Sequence, residues 1–304
     1  MDQAEALRKM TKETENVRKN GTPRRGSRQP DPSADSSVRV IAVTSGKGGV
    51  GKTNITANLA YYLTKKKRKT LILDADLGLA NIDVILGLTP RYNLHHVLAG
   101  EKKLSEAVIQ GPGGIRILPS ASGIQEISEL TQGQKLMLLD ELDALEQELD
   151  FMLIDTGAGI AGNVMYFNMA AEEIIVVTSP EPTAMTDAYA LIKVLYQRHA
   201  KKRFLLLVNM VRSAAEGREV FQRMSHAVGY FLNLQVSYLG HIQQDDQLTE
   251  AVKRQQLFAE RHPESPASVC LRQVADRLCR EKPPEADAGG LRFLSKKTVD
   301  VAGL

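Results

Sequence analysis

Seven short apolar runs recur along the chain, and several are apolar at every position rather than at alternate ones. They are VRVIAVT at 38–44, KTLILDA at 69–75, IRILPS at 115–120, FMLID at 151–155, EIIVVTS at 173–179, RFLLLVN at 203–209 and QVSYLG at 235–240. A strand that is apolar on both faces is covered on both faces, as in a parallel sheet lying between helices. Helical patterns fall between most of these runs, at 52–66, 134–149, 160–171, 184–200, 214–230 and 246–256. Strand–helix alternation of this kind predicts an α/β fold, a doubly wound, mainly parallel sheet flanked by helices.

The pattern breaks down at both ends. Residues 9–37 are rich in Lys, Arg, Pro, Ser and Gly and read as a flexible, basic linker. EKPPEADAGG at 281–290 is a second stretch of breakers. The expected organisation is an N-terminal segment and linker over 1–37, one folded domain over 38–282 and a C-terminal tail over 283–304. Ahead of the linker stands DQAEALR at 2–8, a polar helical heptapeptide with no core to join.

Composition narrows the class. A hydrophobic share of 43% with 25% charged residues excludes a disordered chain and an integral membrane protein. No apolar run approaches the roughly 20 residues of a spanning helix. MDQAEALRKMTKE lacks the apolar segment of a signal peptide, so a cytosolic protein is expected. Cys270 and Cys279, nine apart in a helical pattern, read as structural thiols. A net charge of +3 is too small to point to nucleic acid.

After the first strand comes SGKGGVGKTN, where Gly46, Gly51, Lys52 and Thr53 satisfy the phosphate-loop pattern G-x-x-x-x-G-K-[ST]. The loop runs through Gly46, Lys47, Gly48, Gly49, Val50, Gly51, Lys52, Thr53 and Asn54. Its glycines let backbone N–H groups turn toward phosphate oxygens, and the helix that follows adds its positive end. Lys52 then reaches the β- and γ-phosphates, and the Thr53 hydroxyl ligates Mg²⁺. A plain glycine-rich turn is the alternative, and the motif's place between a buried strand and a helix disfavours it.

Two further strands end in carboxylates. LDADLGLANID at 73–83 places Asp76 at a parallel strand's C-terminal end, facing the crevice where such sheets bind ligands. There it can orient an attacking water or join a Mg²⁺ shell. Asp74 has two open readings, a chemical role or a buttress for the loop. LIDTGAG at 153–159 has the Walker B form, with Asp155 toward Mg²⁺ and Gly157 and Gly159 giving a backbone able to sense a γ-phosphate. His95 and His96 read as a helix surface rather than a metal pair.

Lys47 adds a second lysine to the loop, and K-G-G-x-G-K-T resembles the deviant Walker A motif of the MinD/ParA family. The resemblance covers residues 38 to about 280. It implies a slow, dimer-dependent ATPase using ATP/ADP and Mg²⁺, monomeric without ATP and a sandwich homodimer with it. It also implies that Lys47 reaches the partner subunit's nucleotide and that Asp76 positions the hydrolytic water. Asn81 would contact nucleotide across the dimer, Asn209 would meet adenine, and the 240–256 stretch would close over the base. The resemblance makes LDADLGLANID the first switch and LIDTGAG the second, and the lack of a cysteine near the second argues against the iron–sulfur carriers that share this loop.

DQAxxLR ahead of such a core resembles the FlhG (FleN/YlxH) branch, MinD-like ATPases that control flagellar number and placement. That likeness implies an N-terminal helix activating FlhF, a signal-recognition-particle-type GTPase, through Asp2, Gln3, Ala4, Leu7 and Arg8. Gln3 is a donor suited to orienting a water in another protein's site, and Leu7 lies one turn on. Flagellar C-ring proteins or a flagellar transcription factor are the other partners implied. In the tail, Leu291, Phe293 and Leu294 stand beside Arg292, Lys296 and Lys297, a mixture suited to an anionic membrane surface. The expected location is the cytoplasm and the inner face of the cell membrane, at the pole. The rival readings are a division-site MinD-type ATPase, a ParA-type DNA-partitioning ATPase resting on LTKKKRKT and HAKKRF, and a nucleotide-binding scaffold without catalysis. Sequence-specific nucleic-acid recognition is not expected.

Overall fold

The computed structural model describes residues 38–77, 81–120, 130–145 and 148–281. The N-terminal motif (Asp2, Gln3, Ala4, Leu7, Arg8) and the tail from 283 to 304 lie outside them.

Within the described residues the chain runs β1 (Arg39–Ser45), α1 (Lys52–Lys65), β2 (Thr70–Ala75), α2 (Ile82–Ile85), α3 (Leu94–Leu98) and α4 (Leu104–Ala107). There follow β3 (Ile109–Gln110), β4 (Arg116–Leu118), α5 (Gln132–Asp143), β5 (Phe151–Ala158), α6 (Gly162–Ala170), β6 (Glu173–Thr178) and α7 (Pro182–His199). The rest is β7 (Phe204–Val211), α8 (Ala214–Leu232), β8 (Ser237–Gln243), α9 (Asp246–Lys253), α10 (Phe258–Arg261) and α11 (Pro266–Arg280). The strands form one sheet in the order β3-β4-β2-β5-β1-β6-β7-β8. Neighbours are parallel except β3 and β4, which pair antiparallel at the edge. This is the doubly wound arrangement expected.

Continuous apolarity in β1 has a direct structural cause. Ile41 and Val43 pack into the core beneath α1 and α11, while Val40 and Ala42 face the opposite layer. All seven residues of β1 are buried, so a polar residue on either face would lose its water without replacement. The edge strand β8 is half-exposed and alternates, and its bounds fall two to three residues beyond the apolar run QVSYLG.

The one charge at the start of β1 is paired. Arg39 Nε and Nη2 donate to Glu173 Oε1 at 2.9 and 2.7 Å, and its Nη1 donates to the carbonyls of Leu278 and Glu281. The guanidinium also lies over the Phe151 ring. This holds the end of α11 against the sheet, and removing either partner would leave a buried charge uncompensated. On the same side, Asn58 of α1 accepts the Ala259 N–H at 2.7 Å and so fixes α10.

Side-chain caps begin α5 (Thr131), α8 (Ser213), α9 (Asp245) and α11 (Ser265). Helix α1 is different. Its N-cap is Gly51, left-handed at φ 90°, with no side chain to accept the first-turn N–H groups. Those donors remain open at the C-terminal edge of the sheet. Among the described residues no helix is long and apolar enough to cross a membrane.

Candidate functional site

A cavity of about 1190 Å³ opens above the C-terminal ends of the strands. Its wall includes Gly48, Gly49, Gly51, Lys52, Thr53 and Asn54 from the phosphate loop and α1, with Asp76, Asn81, Gly157 and Asn209. The sequence separates these residues by as much as 161 positions, from Gly48 to Asn209, and the parallel topology brings them to one rim.

The loop is shaped for an anion. Gly49 and Gly51 hold φ of 80° and 90°, a region that L side chains rarely adopt, and a Cβ on Gly48 or Gly49 would meet only open space. At Gly51 a Cβ would stand 2.5 Å from Asn209 Nδ2, so glycine is required there by contact as well as by conformation. Gly46 is packed otherwise. A Cβ there would lie 2.1 Å from the Asp187 carbonyl carbon and oxygen, because α7 runs directly against the loop.

Lys52 is buried at the start of α1, and its Nζ donates to Ser45 Oγ at 2.9 Å. Burial lowers its pKa, with Asp155 and Asp76 opposing. Ser45 Oγ donates in turn to the Lys47 carbonyl at 2.7 Å. Asp155 is fully buried, and burial pushes its carboxyl up to about 6. The hydroxyls of Thr53 and Thr56 and the Lys52 ammonium pull it back toward the charged form. Thr56 Oγ1 donates to Asp155 Oδ1 at 3.2 Å, a contact the motifs did not announce although Thr56 lies one helical turn beyond Lys52.

The two readings of Asp74 resolve toward the buttress. It accepts the Asp76 N–H on Oδ1 at 3.2 Å and the Ile82 N–H on Oδ2 at 3.5 Å, spanning the turn between β2 and α2. Burial, then the Asp155 charge, raises its pKa well above the ordinary carboxylate value, with the two N–H bonds opposing. Asp76 lies nearer the cavity, with Oδ1 3.4 Å from the position a Gly157 Cβ would take. The stretches that follow β2 and end β5 therefore approach each other at this carboxylate.

Lys47 stands apart. It is not part of the cavity wall, and its Nζ donates to Glu181 Oε1 at 2.5 Å and Thr183 Oγ1 at 2.8 Å. The lysine draws the Glu181 carboxyl below its ordinary pKa. Sequence reasoning missed Glu181 and Thr183, which carry no local motif. Val50 is buried behind the loop, and its carbonyl accepts from Asn209 Nδ2 at 2.8 Å. Asn209 thus braces the loop while also lining the cavity. His95 and His96 are half-buried in α3, and His96 Nδ1 pairs with Asn93 Oδ1 at 2.8 Å. They lie on a helix, as expected, and His96 completes the cap that Asn93 begins.

These groups fit a nucleoside triphosphate with Mg²⁺. Uncapped N–H groups, a buried ammonium and glycines facing open space suit phosphates. The oxygen-only donors Thr53, Asp76 and Asp155 suit a hard cation that keeps some water.

A family model described as an AAA domain matches residues 38–206. The antiactivator FleN of Pseudomonas aeruginosa is 42% identical over 262 residues, covering 86% of this chain and 94% of its own. The flagellum site-determining protein YlxH of Helicobacter pylori is 37% identical over 242 residues, covering 79% and 82%. Among solved structures, the septum site-determining protein MinD of Pyrococcus horikoshii, complexed with Mg-ADP, superposes with a TM-score of 0.65 at 29% identity. That match covers 80% of this chain and 96% of the other. With the two-lysine loop, the strand-end carboxylates and this relatedness together, the chain belongs to the MinD/ParA family of P-loop ATPases, in the branch that holds FleN and YlxH.

Proposed function

We propose that the chain is an ATP-dependent dimerising switch that regulates flagellar number and placement, and that its N-terminal residues activate an FlhF-type signal-recognition GTPase. The observation that carries this reading is the presence in one chain of DQAEALR and a two-lysine loop, with FleN similar over 86% of the length.

In this reading Lys52 and the loop N–H groups bind the β- and γ-phosphates, while Thr53, Asp76 and Asp155 hold Mg²⁺. The bound ion neutralises charge on the phosphates. Asp76 orients the attacking water, and Gly157 lets the second switch follow the γ-phosphate. Lys47 and Asn81 act across the dimer, and Asn209 contributes at the base. ATP favours the dimer because both subunits touch it, and loss of the γ-phosphate removes that preference. Residues 1–37 serve as a tethered activator and residues 283–304 as a weak anchor for the inner membrane face. A flagellar transcription factor or C-ring protein is the further partner.

The test is the GTPase rate of the FlhF-type protein from the same cell, with the full chain and with its Gln3→Ala variant. Stimulation that disappears in the variant supports the reading. Equal rates with and without the chain remove the activator role and leave an ATPase switch with another client.

A further inference from the structure

Asp155 is held from behind by a group that the motifs do not account for. It is buried in β5, and neither it nor Thr56 is part of the cavity wall. Helix α1 presents two hydroxyls to it. Thr53 and Thr56 are three residues apart, which places them on one face of the helix, and both bond the Asp155 carboxyl. They differ in access. Thr53 is half-buried and lines the cavity, whereas Thr56 is fully buried and shut off from it. Thr53 is free to turn from the carboxyl toward an ion in the cavity, and Thr56 is not.

The Thr56 hydroxyl has one proton and two acceptors within reach. Its Oγ1 lies 3.0 Å from the Lys52 carbonyl oxygen and 3.2 Å from Asp155 Oδ1. The first contact is the ordinary back-bond of a threonine inside a helix and needs no role in the site. The second joins elements 99 positions apart in sequence, and an ionised carboxylate is the stronger acceptor. Lys52 acts on the same carboxyl by charge, its Nζ donating to Ser45 Oγ. Once Thr53 turns to the ion, Thr56 is the one of the two hydroxyls that stays on the carboxylate.

We propose that Thr56 is a positioning residue for the Mg²⁺ site, its hydroxyl pinning one oxygen of the Asp155 carboxylate so that the group faces the ion in a single orientation. The inference rests on the reading of Thr53 and Asp155 as groups that hold Mg²⁺. Oxygen ligands of a metal are oriented by hydrogen bonds from the groups behind them, and losing such a bond typically lowers metal affinity by roughly 10- to 100-fold. Thr56 touches no part of the cavity, so its loss should weaken the ion and leave the contacts of the phosphates with the loop intact.

The test is equilibrium binding of ADP, which is not turned over, to the full-length wild type, Thr56→Ser, Thr56→Val and Thr56→Ala, first with Mg²⁺ chelated and then across a Mg²⁺ titration. Val and Ala both lack the hydroxyl but pack differently, so a defect they share belongs to the hydroxyl. Metal-free ADP affinity, set by the loop N–H groups and Lys52, should be alike in all four proteins. The Mg²⁺ concentration at half-effect should rise roughly tenfold or more in Thr56→Val and Thr56→Ala and stay near wild type in Thr56→Ser. Hydroxyl-free variants that follow the wild-type titration, or that lose affinity equally with and without Mg²⁺, overturn the proposal. So does a Thr56→Ser protein as impaired as Thr56→Val. A wild type whose ADP binding ignores Mg²⁺ overturns instead the assignment of Thr53 and Asp155 to the ion.

Discussion

Lys47 Nζ lies 2.5 Å from Glu181 Oε1 and 2.8 Å from Thr183 Oγ1, both at the start of α7 in the same chain. A lysine that acts on a partner subunit's nucleotide must first leave this carboxylate. The pair is exposed, with side chains 36% and 54% accessible, so water and salt screen it and it opens easily. Glu181→Gln should therefore raise the dimer fraction at subsaturating ATP by a small factor, roughly two- to fivefold, and less in high salt. Lys47→Ala should still bind ATP and sediment as a monomer. Sedimentation velocity with and without ATP reads both, and a dimeric Lys47→Ala protein would exclude the role across the interface.

Asp76 and Asp74 differ in what they touch, so their variants should separate. Asp76→Ala should stop hydrolysis and leave the protein dimeric under saturating ATP and Mg²⁺. A monomeric Asp76→Ala protein under those conditions breaks the switch mechanism. Asp74→Ala should also slow turnover, by an order of magnitude or more, because it frees the N–H groups of Asp76 and Ile82 from their acceptor. Asp74→Asn keeps one acceptor oxygen for the two N–H groups that Asp74 receives. Phosphate release should therefore fall less in that variant than in Asp74→Ala.

The close approach of α7 makes Gly46 a stability determinant as well as a loop residue. A methyl group there would press on the backbone of Asp187 and Ala188, which cannot rotate aside. Gly46→Ala should lower stability by roughly 1–3 kcal/mol, through overpacking alone. The urea midpoint of the nucleotide-free protein measures it, and an unchanged midpoint would mean that the loop and α7 can slide apart at little cost.

Local signals carried most of this fold and the centre of its site. The β1 run is legible because both faces are buried, and the phosphate loop because its donors lie within ten consecutive residues. Elements without a period to read were missed. Helices α2, α3 and α4 have four or five residues each, too few to show a 3.6-residue repeat. Helix α5 was expected to continue to 149 but stops at Asp143, although Leu145 and Leu149 continue the apolar pattern. Residues 266–280 showed only as the helical setting of the two cysteines, and their packing on α1 depends on tertiary contact. The same limit applies in the site. Lys47 and Glu181 are 134 positions apart, and Gly46 meets Asp187 only because α7 docks on the loop.

The Walker B carboxylate should leave a mark on the pH dependence of stability. Burial lifts Asp155 from 3.8 to about 6, so between those values the folded protein holds a proton that the unfolded chain has released. The sign follows directly: this group's contribution falls as pH rises from about 4 to about 6, and is level above that. A shift of this size corresponds to on the order of 3 kcal/mol. Asp74 tilts the curve in the same direction, since burial raises it too, so the comparison must be between wild type and Asp155→Asn. Without nucleotide and with Mg²⁺ chelated, the two should melt together near pH 4. Near pH 7 the variant should melt higher, because it no longer carries a buried charge awaiting its cation. Keeping the series at or below pH 7 limits interference from Lys52, whose pKa burial lowers. Parallel curves across the range would mean that Asp155 is ionised at little cost, with Lys52 and the two threonines already supplying what the metal would.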